Sequence, residues 1–536
     1  MTPVDQDAIR AFLSDPASHA ADGPVDVIET HANTIFLAGP LAYKMKRAVR
    51  FPFLDYSTLA LREAACRREI AVNRGPSSTI YRGVLPVTRD ADGRLALGGP
   101  GEPVEWLVVM TRFDETMTLD RRLRAGPLPA ALVEDLAATI AALEAEAPRR
   151  AAAPWIADLA AYVEQNDAAF QAAPDLFPPA AVAALTAAAR QWHGRLADLL
   201  AERGRLGRIR LLHGDLHAGN VALIDGRPVP FDAIEFDDAI ATADLLYDAG
   251  FLVMDLDEAG HRAEANLLLN RLLVETVRRE AAADPSADPA GLVASHAEGL
   301  AALPFFLMMR AAIRAKVTHA KAAHLAPVDR AAAEAEARRY FDYARARLDP
   351  AEPVLVAVGG LSGTGKSTLA RALAPWLGRR PGALHLRSDV IRKLVARVEE
   401  TAPLPPERYT RAESDRVYEA VRSAARAGLA AGSAVIVDAV AARPEERAAL
   451  ARIAAAAETR FFGLWLEAPA ARRLVRVEGR RGDASDAGAA VVRMQADYDP
   501  GPIDWIRVDA SAGVAATADA ARQALARAGL ALSEPV

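Results

Sequence analysis

Residues 354–368 read Val-Leu-Val-Ala-Val-Gly-Gly-Leu-Ser-Gly-Thr-Gly-Lys-Ser-Thr, an apolar run followed by a glycine-rich turn. The stretch satisfies the pattern G-x-x-x-x-G-K-[ST], with a strand before it and a helix after it, as that pattern requires. Glycines let consecutive backbone N–H groups face a phosphate chain, and the N-terminus of a helix favours negative charge. The stretch therefore predicts an ATP-binding loop that consists of Gly360, Ser362, Gly363, Thr364, Gly365, Lys366, Ser367 and Thr368.

Two side chains of this loop have predicted roles of their own. Lys366 is expected to reach the β- and γ-phosphates, and the hydroxyl of Ser367 is expected to bind Mg²⁺. The alternative is a glycine-rich turn that only packs a helix against a strand. The complete motif in its expected context favours the functional interpretation.

Apolar strands and helical stretches alternate from this loop to the end of the chain. The strand candidates are residues 354–358, 383–386, 434–437, 461–466 and 505–508. This alternation predicts an α/β domain with a five-stranded parallel sheet. Because residues 349–353 form a proline-bearing break, we place a P-loop NTPase or kinase domain at 351–536 and a separate domain at 1–348.

Acidic residues stand at the carboxyl ends of two predicted strands. Asp389 follows the second strand and Asp438 ends the third, where an aspartate can accept the proton of an acceptor hydroxyl. Arg392, one helical turn after Asp389, can hold an anionic group of the substrate. We predict Asp389 and Asp438 to be catalytic, and Asp438 could also lie near Mg²⁺. A helix-capping role for Asp389 beside a solvated Arg392 is an equally good interpretation.

Arginines crowd the helix and loop after the fourth strand, a position that suits a lid closing on phosphates. Arg476 and Arg480, four residues apart, are the candidates, although a solvated helix face would explain most of these arginines equally well. Residues 351–536 resemble the P-loop small-molecule kinases, such as gluconate and shikimate kinases, and also the zeta-toxin-like kinases. That resemblance implies transfer of a phosphoryl group from ATP to a small molecule.

A second motif lies upstream, where residues 211–220 read Leu-Leu-His-Gly-Asp-Leu-His-Ala-Gly-Asn. The D-x-x-x-x-N spacing is that of the kinase catalytic loop, which predicts Asp215 as the base and Asn220 as a ligand of Mg²⁺. A hairpin turn between Asn220 and Asp232 would bring Asp232 back beside Asn220 as a second metal ligand. His217 could take part, or it could simply hydrogen-bond the loop backbone.

The front of the chain offers a candidate lysine for the same nucleotide. Residues 42–46, Ala-Tyr-Lys-Met-Lys, read as a strand, and 59–74 read as a helix that carries Glu69. We predict that Lys44 binds the phosphates and that Glu69 is its partner. Lys46 would point to the same face of the strand, so the sequence does not decide between the two lysines.

The His-Gly-Asp and Leu-His-x-x-Asn elements closely resemble those of the aminoglycoside and choline phosphotransferase-like family. The resemblance covers roughly residues 25–330. It implies an α+β bilobal kinase-like fold and transfer of the γ-phosphate of ATP to a hydroxyl of a small molecule. The whole chain resembles bacterial proteins in which such a domain is fused to a P-loop ATPase or kinase domain.

Composition limits the class of protein. A chain of 536 residues exceeds the ~250–300 residues at which single hydrophobic cores stop growing, so more than one domain is expected. A net charge of −6 provides no cationic field for nucleic acid or anionic membranes. The single cysteine, Cys66, excludes an internal disulfide. With no signal-peptide pattern at its start, we expect a cytoplasmic protein with small-molecule partners, without nucleic acid or membrane partners and of undetermined oligomeric state.

Two classes of function agree with these motifs. The first is a bifunctional phosphotransferase that uses ATP and Mg²⁺ at both sites and positions an acceptor hydroxyl in line with the γ-phosphate. The second is a P-loop ATPase switch that regulates, or is merely fused to, a nucleotide-binding pseudokinase domain. The acceptor is not specified by either motif.

Overall fold

The structure is a computed structural model. It describes residues 6–19, 23–51, 54–73, 75–323, 325–349, 351–495, 498–530 and 532. The chain forms two compact units, each made of several stretches. The first consists of Met1–Leu128, Glu146–Asp158 and Gly204–Leu252, and the second of Pro129–Ala145, Leu159–Arg203 and Val253–Val536. The domain boundary that the proline-bearing break suggests, between residues 348 and 351, stays a prediction.

Strands dominate the first part of the chain. They are β1 (Asp26–Glu29), β2 (Asn33–Ala38), β3 (Leu41–Lys46), β4 (Arg50–Phe51), β5 (Leu54–Asp55), β6 (Tyr81–Arg89), β7 (Leu95–Leu97) and β8 (Glu102–Thr111). The helices of this part are α1 (Gln6–Ser14), α2 (Leu59–Val72) and α3 (Leu119–Ala125). The helix predicted over residues 59–74 is confirmed up to Val72, and Arg74 lies outside the described residues.

Six of these strands form an antiparallel sheet in the order β1-β2-β3-β8-β6-β7. β3 lies inside the sheet, where Lys44 is opposite Ile35 on β2 and Val108 on β8. Helix α2 begins at a capped turn, because the Thr58 side chain accepts a hydrogen bond from the N–H of Leu61. The sheet and this helix position the two candidate lysines and Glu69.

The alanine-rich middle of the chain is mainly helical. Its elements in chain order are α4 (Ala130–Glu146), α5 (Ala152–Gln171), α6 (Pro179–Arg205), β9 (Ile209–Leu211), β10 (Val221–Ile224), β11 (Arg227–Pro230), α7 (Asp238–Ala241), β12 (Thr242–Asp244), α8 (Leu245–Glu258), α9 (Arg262–Ala283), α10 (Pro289–Gly299), α11 (Leu303–Ala322) and α12 (Pro327–Arg347). The predicted hairpin is confirmed: Ile224 on β10 pairs with Arg227 on β11, and both turn residues, Asp225 and Gly226, have positive φ. Such a turn suits the twist of the paired strands.

The predicted five-stranded parallel sheet is confirmed. Its strands are β13 (Val354–Gly359), β14 (Leu384–Arg387), β15 (Val435–Asp438), β16 (Arg460–Glu467) and β17 (Ile506–Asp509), in the order β14-β15-β13-β16-β17. The helices between and after them are α13 (Lys366–Leu373), α14 (Ser388–Val395), α15 (Arg411–Ala430), α16 (Pro444–Ala456), α17 (Ala470–Glu478), α18 (Ala489–Met494) and α19 (Val514–Arg527). Ligands of such sheets bind at the carboxyl ends of the strands, where the order of connection reverses.

One stretch in the second unit, Pro289–Ala322, is long and apolar enough by composition to cross a membrane. Its mean hydropathy is 1.5 over the window tested, and 67% of that window is buried. Buried core helices of soluble proteins pass the same test, so this is weak evidence for a membrane span. The cytoplasmic location stays a prediction.

Candidate active sites

The glycine-rich loop joins β13 to α13 at the carboxyl end of the parallel sheet. The N–H of Gly360 donates to the carbonyl oxygen of Val440 at 3.1 Å, which ties the loop to the chain after β15. Gly363 has a φ of +82°, and a Cβ at this position would lie 2.6 Å from the carbonyl oxygen of Arg473. Only glycine fits both that conformation and that contact.

Lys366 is the first residue of α13, and its ammonium donates to the carbonyl oxygen of Leu361 at 3.3 Å. Burial lowers the pKa of Lys366, and the nearby carboxylates of Asp438 and Asp389 only partly oppose that effect. An anion beside the ammonium would stabilise its charged form. Lys366, Ser367 and Asp389 line one cavity of about 530 Å³.

Most of the predicted loop residues meet in this cavity. Those that line it are Ser362, Gly363, Gly365, Lys366, Ser367 and Thr368. Thr364 instead donates its hydroxyl to Leu361 and lines a second cavity of about 500 Å³, which shares Gly363 and Gly365 with the first. Residues 511–514, which follow β17, line this second cavity.

Asp438 ends β15 and is only 2% exposed. His385 Nε2 and Arg387 Nε each lie 3.8 Å from its Oδ2, which has no hydrogen-bond partner among the described residues. Burial opposes the ionisation of Asp438, but His385 and Arg387 outweigh it and lower its pKa. A buried, charged oxygen without a hydrogen-bond donor is suited to bind a cation or a water molecule.

The two predicted acceptor-side residues of α14 differ in their contacts. Asp389, in the first turn of the helix, faces the first cavity. Arg392 also lines this cavity, but its guanidinium donates to the carbonyl oxygen of Arg408 at 3.0 Å and lies 4.9 Å from the centre of the Tyr409 ring. Arg392 therefore supports the segment around Tyr409 as well as facing the cavity.

The two predicted lid arginines have different environments. Arg480 lines the first cavity, and its Nη1 is buried without a hydrogen-bond partner among the described residues. Arg476 donates to the carbonyl oxygens of Thr364 at 3.1 Å, Ala510 at 2.7 Å and Ala512 at 3.1 Å. Its guanidinium is thus occupied by backbone groups, whereas that of Arg480 retains donors for an anion.

The loop at residues 479–488, here called the lid loop, makes contacts that the sequence analysis did not identify. Asp483 accepts a hydrogen bond from Arg387 at 2.6 Å. Asp486 accepts from Lys393 at 2.7 Å, from the N–H of Leu404 at 3.0 Å and from the Tyr409 hydroxyl. The lid loop is therefore fastened to the side of the first cavity that Arg387, Leu404 and Tyr409 line.

Gln495 is a further residue that no motif indicated. Its side-chain oxygen accepts a hydrogen bond from the N–H of Ser362 at 2.9 Å, and it lines the first cavity. The only available signal was its position shortly after the lid arginines. It places an amide group directly against the phosphate-binding loop.

The predicted catalytic loop of the first unit follows β9. The amide nitrogen of Asn220 donates to the backbone oxygen of Asp215 at 3.0 Å and to its Oδ2 at 3.3 Å. The Asp215 side chain is 42% exposed, as suits a group that meets a substrate. His217 accepts a hydrogen bond from the N–H of Gly219 through Nδ1 at 3.0 Å, and its Nε2 lies 3.6 Å from Asp215 Oδ2, so both roles that the sequence left open stay predictions.

Asp232 is brought beside this loop by the hairpin, because the N–H of Phe231 donates to the backbone oxygen of Asn220 at 2.9 Å. The backbone of Asp232 has a φ of +61°, and its N–H donates to the Tyr81 hydroxyl at 3.1 Å. Its Oδ1 lies 2.6 Å from the ammonium of Lys44. Desolvation opposes ionisation, but Lys44 outweighs it and lowers the pKa of Asp232 to about 2.

Oxygen atoms available for a cation are present at both sites. In the first unit they are the side-chain oxygens of Asn220 and Asp232, and in the second those of Ser367 and Asp438. Mg²⁺ prefers oxygen ligands and often binds one or two carboxylates together with substrate phosphates. Within the described ranges no group of three or more His, Cys, Asp or Glu side chains could hold a metal, so phosphate or water oxygens would have to complete the shell. The residues fit Mg²⁺ on those terms.

Both candidate lysines of β3 contact Glu69. Lys44 Nζ lies 2.9 Å from Glu69 Oε1, and Lys46 Nζ lies 2.5 Å from Glu69 Oε2. Burial would lower the pKa of Lys44, but Asp232 and Glu69 outweigh it and raise that pKa. Lys44 bridges to Asp232, whereas Lys46 forms its second ion pair with Glu235. The geometry therefore favours Lys44 as the lysine that faces a ligand.

Two side chains hold the catalytic loop and the Asp232 segment from outside. Asp248 on α8 accepts hydrogen bonds from the N–H groups of His213 at 3.3 Å and Gly214 at 3.0 Å. Asn73 accepts from the N–H of Ala233 at 3.1 Å. The loop backbone is thus fixed on both sides of the candidate catalytic groups.

Part of the second unit matches a described family of proteins. Residues 355–500 match the family described as "AAA domain". This match covers the glycine-rich loop and both predicted acidic residues of the P-loop domain. It supports a P-loop domain in the C-terminal part of the chain.

Two solved structures are similar to parts of the chain. A gluconokinase from Sinorhizobium meliloti 1021 is 22% identical, with 33% of this chain and 93% of that chain covered and a TM-score of 0.25. A choline/ethanolamine kinase family protein from Mesorhizobium loti is 14% identical, with 64% of this chain and 98% of that chain covered and a TM-score of 0.32.

Two full-length relatives are "Uncharacterized protein Rv2004c" of Mycobacterium tuberculosis (strain ATCC 25618 / H37Rv) and "Uncharacterized protein Mb2027c" of Mycobacterium bovis (strain ATCC BAA-935 / AF2122/97). Each is 30% identical over 515 residues, which cover 89% of this chain and 91% of the relative. The similarity thus extends through both the kinase-like motif and the phosphate-binding loop. On that basis the chain belongs to the same family as these two mycobacterial proteins.

Proposed function

We propose that the chain is an ATP-dependent phosphotransferase with two sites, each of which transfers the γ-phosphate of ATP to a hydroxyl of a small molecule. The observation that carries the proposal is the meeting, in the first unit, of an ammonium, two carboxylates and an amide from distant elements: Lys44, Asp215, Asp232 and Asn220. These are the groups that phosphoryl transfer requires for positioning and charge stabilisation.

In the site of the first unit, Asp215 accepts the proton of the acceptor hydroxyl while that oxygen bonds to the γ-phosphorus and the bond to ADP breaks. Lys44 exchanges its contact with Asp232 for a phosphate oxygen. Asp232 and Asn220 are the residues that would hold a cation bound together with the phosphates. Bound Mg²⁺ would neutralise charge on the phosphate oxygens.

In the P-loop site, the backbone N–H groups of the loop and the ammonium of Lys366 hold the phosphates, and Ser367 and Asp438 are the candidates for the cation. The Nη1 of Arg480 lies 3.7 Å from Asp483 Oδ1 without a hydrogen bond, and it would turn to contact the transferred group. Asp389 accepts the proton of the acceptor hydroxyl. The second cavity, beside Ser511–Val514, takes the nucleoside part of ATP.

The test is ATP consumption by the purified full chain with Mg²⁺ across sugars, amino-sugars, amino alcohols and nucleosides. The variants are Asp215→Ala and Lys366→Ala, with Asp92→Ala and Lys321→Ala as exposed controls of matched chemistry. We expect an acceptor to stimulate ADP release and a phosphorylated product to form. Asp215→Ala should reduce product from its own acceptor by about 100-fold or more, the usual contribution of a general base.

Each outcome assigns or rejects a site. A stimulation that is lost with one variant and kept with the other identifies the responsible site. ADP release that is independent of any acceptor and sensitive only to Lys366→Ala would contradict the proposal and indicate an ATPase switch joined to a pseudokinase domain. Chelation of Mg²⁺ should stop both activities, and activity that survives a chelator would contradict the metal assignment.

A further inference from the structure

A buried group of charges lies next to the Lys44–Asp232 pair. Lys46 Nζ sits between Glu69 Oε2, at 2.5 Å, and Glu235 Oε1. The side chains of Lys46 and Glu69 are both 0% exposed. The Tyr56 hydroxyl donates to Glu235 at 2.8 Å, so this carboxylate has a second partner. We call Lys46, Glu69, Glu235 and Tyr56 the Lys46 cluster.

The charges of this region do not balance by themselves. Two ammonium groups, Lys44 and Lys46, face three carboxylates, those of Glu69, Asp232 and Glu235. One negative charge is in excess, and it lies on the open side, because the Asp232 side chain is 46% exposed. An arriving cation would be attracted to that side rather than to the buried cluster.

The two oxygens of Glu69 are divided between the two lysines. Lys44 holds Oε1, and Lys46 holds Oε2. A carboxylate with no exposure requires a counter-ion, and a single lysine in that role would be held tightly. Because Lys46 supplies a second positive charge, Lys44 can direct part of its hydrogen bonding to another group.

We propose that Lys46 is a positioning residue for nucleotide binding in the first unit: it is the permanent counter-ion of Glu69, and it thereby frees Lys44 to exchange Asp232 for a phosphate oxygen. The inference rests on the proposed binding of ATP at this site. Lys46 itself does not touch the nucleotide, since its ammonium is enclosed between two carboxylates. The paired lysines on one strand thus divide the work, one facing the ligand and one facing the core.

The test uses the full chain carrying Lys366→Ala, so that nucleotide binding reports the site of the first unit. Lys46→Met together with Glu235→Gln removes one positive and one negative charge and keeps the excess of one negative charge. Glu235→Gln alone is the matched variant in which Lys46 still holds Glu69. Isothermal titration calorimetry measures the Kd of Mg·ATP and, separately, of adenosine, which has no phosphates.

We expect the double variant to raise the Kd of Mg·ATP about tenfold, which is the lower end of the effect of residues that orient a ligand-binding group. Adenosine should bind as before, and Glu235→Gln alone should change the Kd of Mg·ATP much less. Lys44→Met, which removes the phosphate-binding group itself, should weaken Mg·ATP at least as much as the double variant. Thermal melting of each variant checks that it is folded.

Three results would overturn the inference. If the double variant binds Mg·ATP like the unsubstituted site, Lys46 only fills space in the core. If the Kd of adenosine rises as much as that of Mg·ATP, the substitution has damaged the pocket as a whole rather than the placement of Lys44. If the Lys366→Ala chain binds adenosine and Mg·ATP at no measurable level before Lys46 is changed, the proposed function of this site fails and the role of Lys46 falls with it.

Discussion

Asp232 combines backbone strain with a charge that its surroundings stabilise. A φ of +61° is uncommon for a residue other than glycine and costs of the order of 1–3 kcal/mol. Two neighbours offset that cost: the Tyr81 hydroxyl accepts the Asp232 N–H, and Lys44 pairs with the carboxylate. Such strain at a residue that would bind a cation is consistent with a site whose geometry is fixed before the ligand arrives.

The ion pair of Asp232 predicts a pH-dependent stability. The pKa of Asp232 is lowered to about 2, so its ionised form stabilises the folded chain above the unfolded pKa of about 3.9, and this contribution is lost as the pH falls toward 2. Asp232→Asn should therefore lower the Tm at pH 6, and the difference from the unsubstituted chain should shrink below pH 4. Differential scanning calorimetry at pH 6, 5, 4 and 3 checks this. A Tm difference that stays constant over this range would contradict the depressed pKa.

The sequence indicates which residue types form the candidate sites, but it does not show which of two nearby lysines or arginines faces the ligand. Lys44 and Lys46 share a strand face, so periodicity cannot separate them; only the ion pairs with Asp232 and Glu235 do. Arg476 and Arg480 share a helical spacing in the same way. Arg476 is distinguished only by its hydrogen bonds to backbone oxygens that are distant in the sequence, those of Thr364, Ala510 and Ala512.

At the scale of elements, the lid loop is fastened by charges at two points. Asp483 meets Arg387 at the end of β14, and Asp486 meets Lys393 on α14. The Lys393 side chain is buried, so its ammonium would be costly to leave without a counter-ion. If this loop opens as the sequence predicts for a lid, the ion pair must be exchanged for water or for a ligand.

This arrangement predicts faster nucleotide release when the Lys393–Asp486 ion pair is weakened. Asp486→Asn removes the charge that holds Lys393, while keeping the side chain's size and one hydrogen-bonding oxygen. We expect ADP dissociation from the P-loop site to become about tenfold faster, the factor that corresponds to about 1.4 kcal/mol of lost lid stabilisation. Stopped-flow displacement of a fluorescent ADP analogue measures the rate.

The matched control is Asp519→Asn, which removes an exposed charge paired with Arg522 on α19. Exposed pairs of this kind contribute little, so its dissociation rate should match that of the unsubstituted chain. An Asp486→Asn protein that is folded and releases ADP at the unchanged rate would show that the lid loop does not restrain the nucleotide.

The sheet of the P-loop domain could be predicted from the sequence, whereas the Lys393–Asp486 ion pair could not, and the reason is physical. Alternating strands and helices are local patterns, and a parallel sheet follows from their order. Lys393 and Asp486 are 93 residues apart, and neither belongs to a motif. Pairing over such a distance depends on how α14 and the lid loop pack, which composition and spacing do not specify.

Within the second unit, helix α9 completes the edge of the parallel sheet. β14 is an edge strand, and its His385 N–H donates to Asn270 Oδ1 at 2.7 Å. The Ala383 carbonyl oxygen accepts hydrogen bonds from the side-chain nitrogens of Asn270 at 3.1 Å and Asn266 at 3.0 Å. Two amide side chains thus take the place of a neighbouring strand, and an exposed strand edge that could pair with another chain is covered.

This packing predicts that the P-loop domain depends on residues well before position 351. Asn270→Ala would leave the His385 N–H without its acceptor in a partly buried site and remove one donor to the Ala383 carbonyl oxygen. We expect it to cost about 1–3 kcal/mol of unfolding free energy, the range for an unsatisfied buried group. For a domain of this size, each kcal/mol of lost unfolding free energy lowers the Tm by about 2–4 °C. Calorimetry in the presence of Mg·ADP should therefore show a lower Tm for the transition that the nucleotide stabilises.

Gln171→Ala is the matched control, because this amide donates to Asp167 in an exposed position on α5. It should change the unfolding free energy by less than about 0.5 kcal/mol, as surface substitutions usually do. If the Asn270→Ala and Gln171→Ala variants have the same Tm, the edge of the sheet does not need α9, and the P-loop domain is complete from residue 351 onward. If only Asn270→Ala melts earlier, the helix that follows the kinase-like motif also supports β14, and with it Asp389 at the candidate acceptor site.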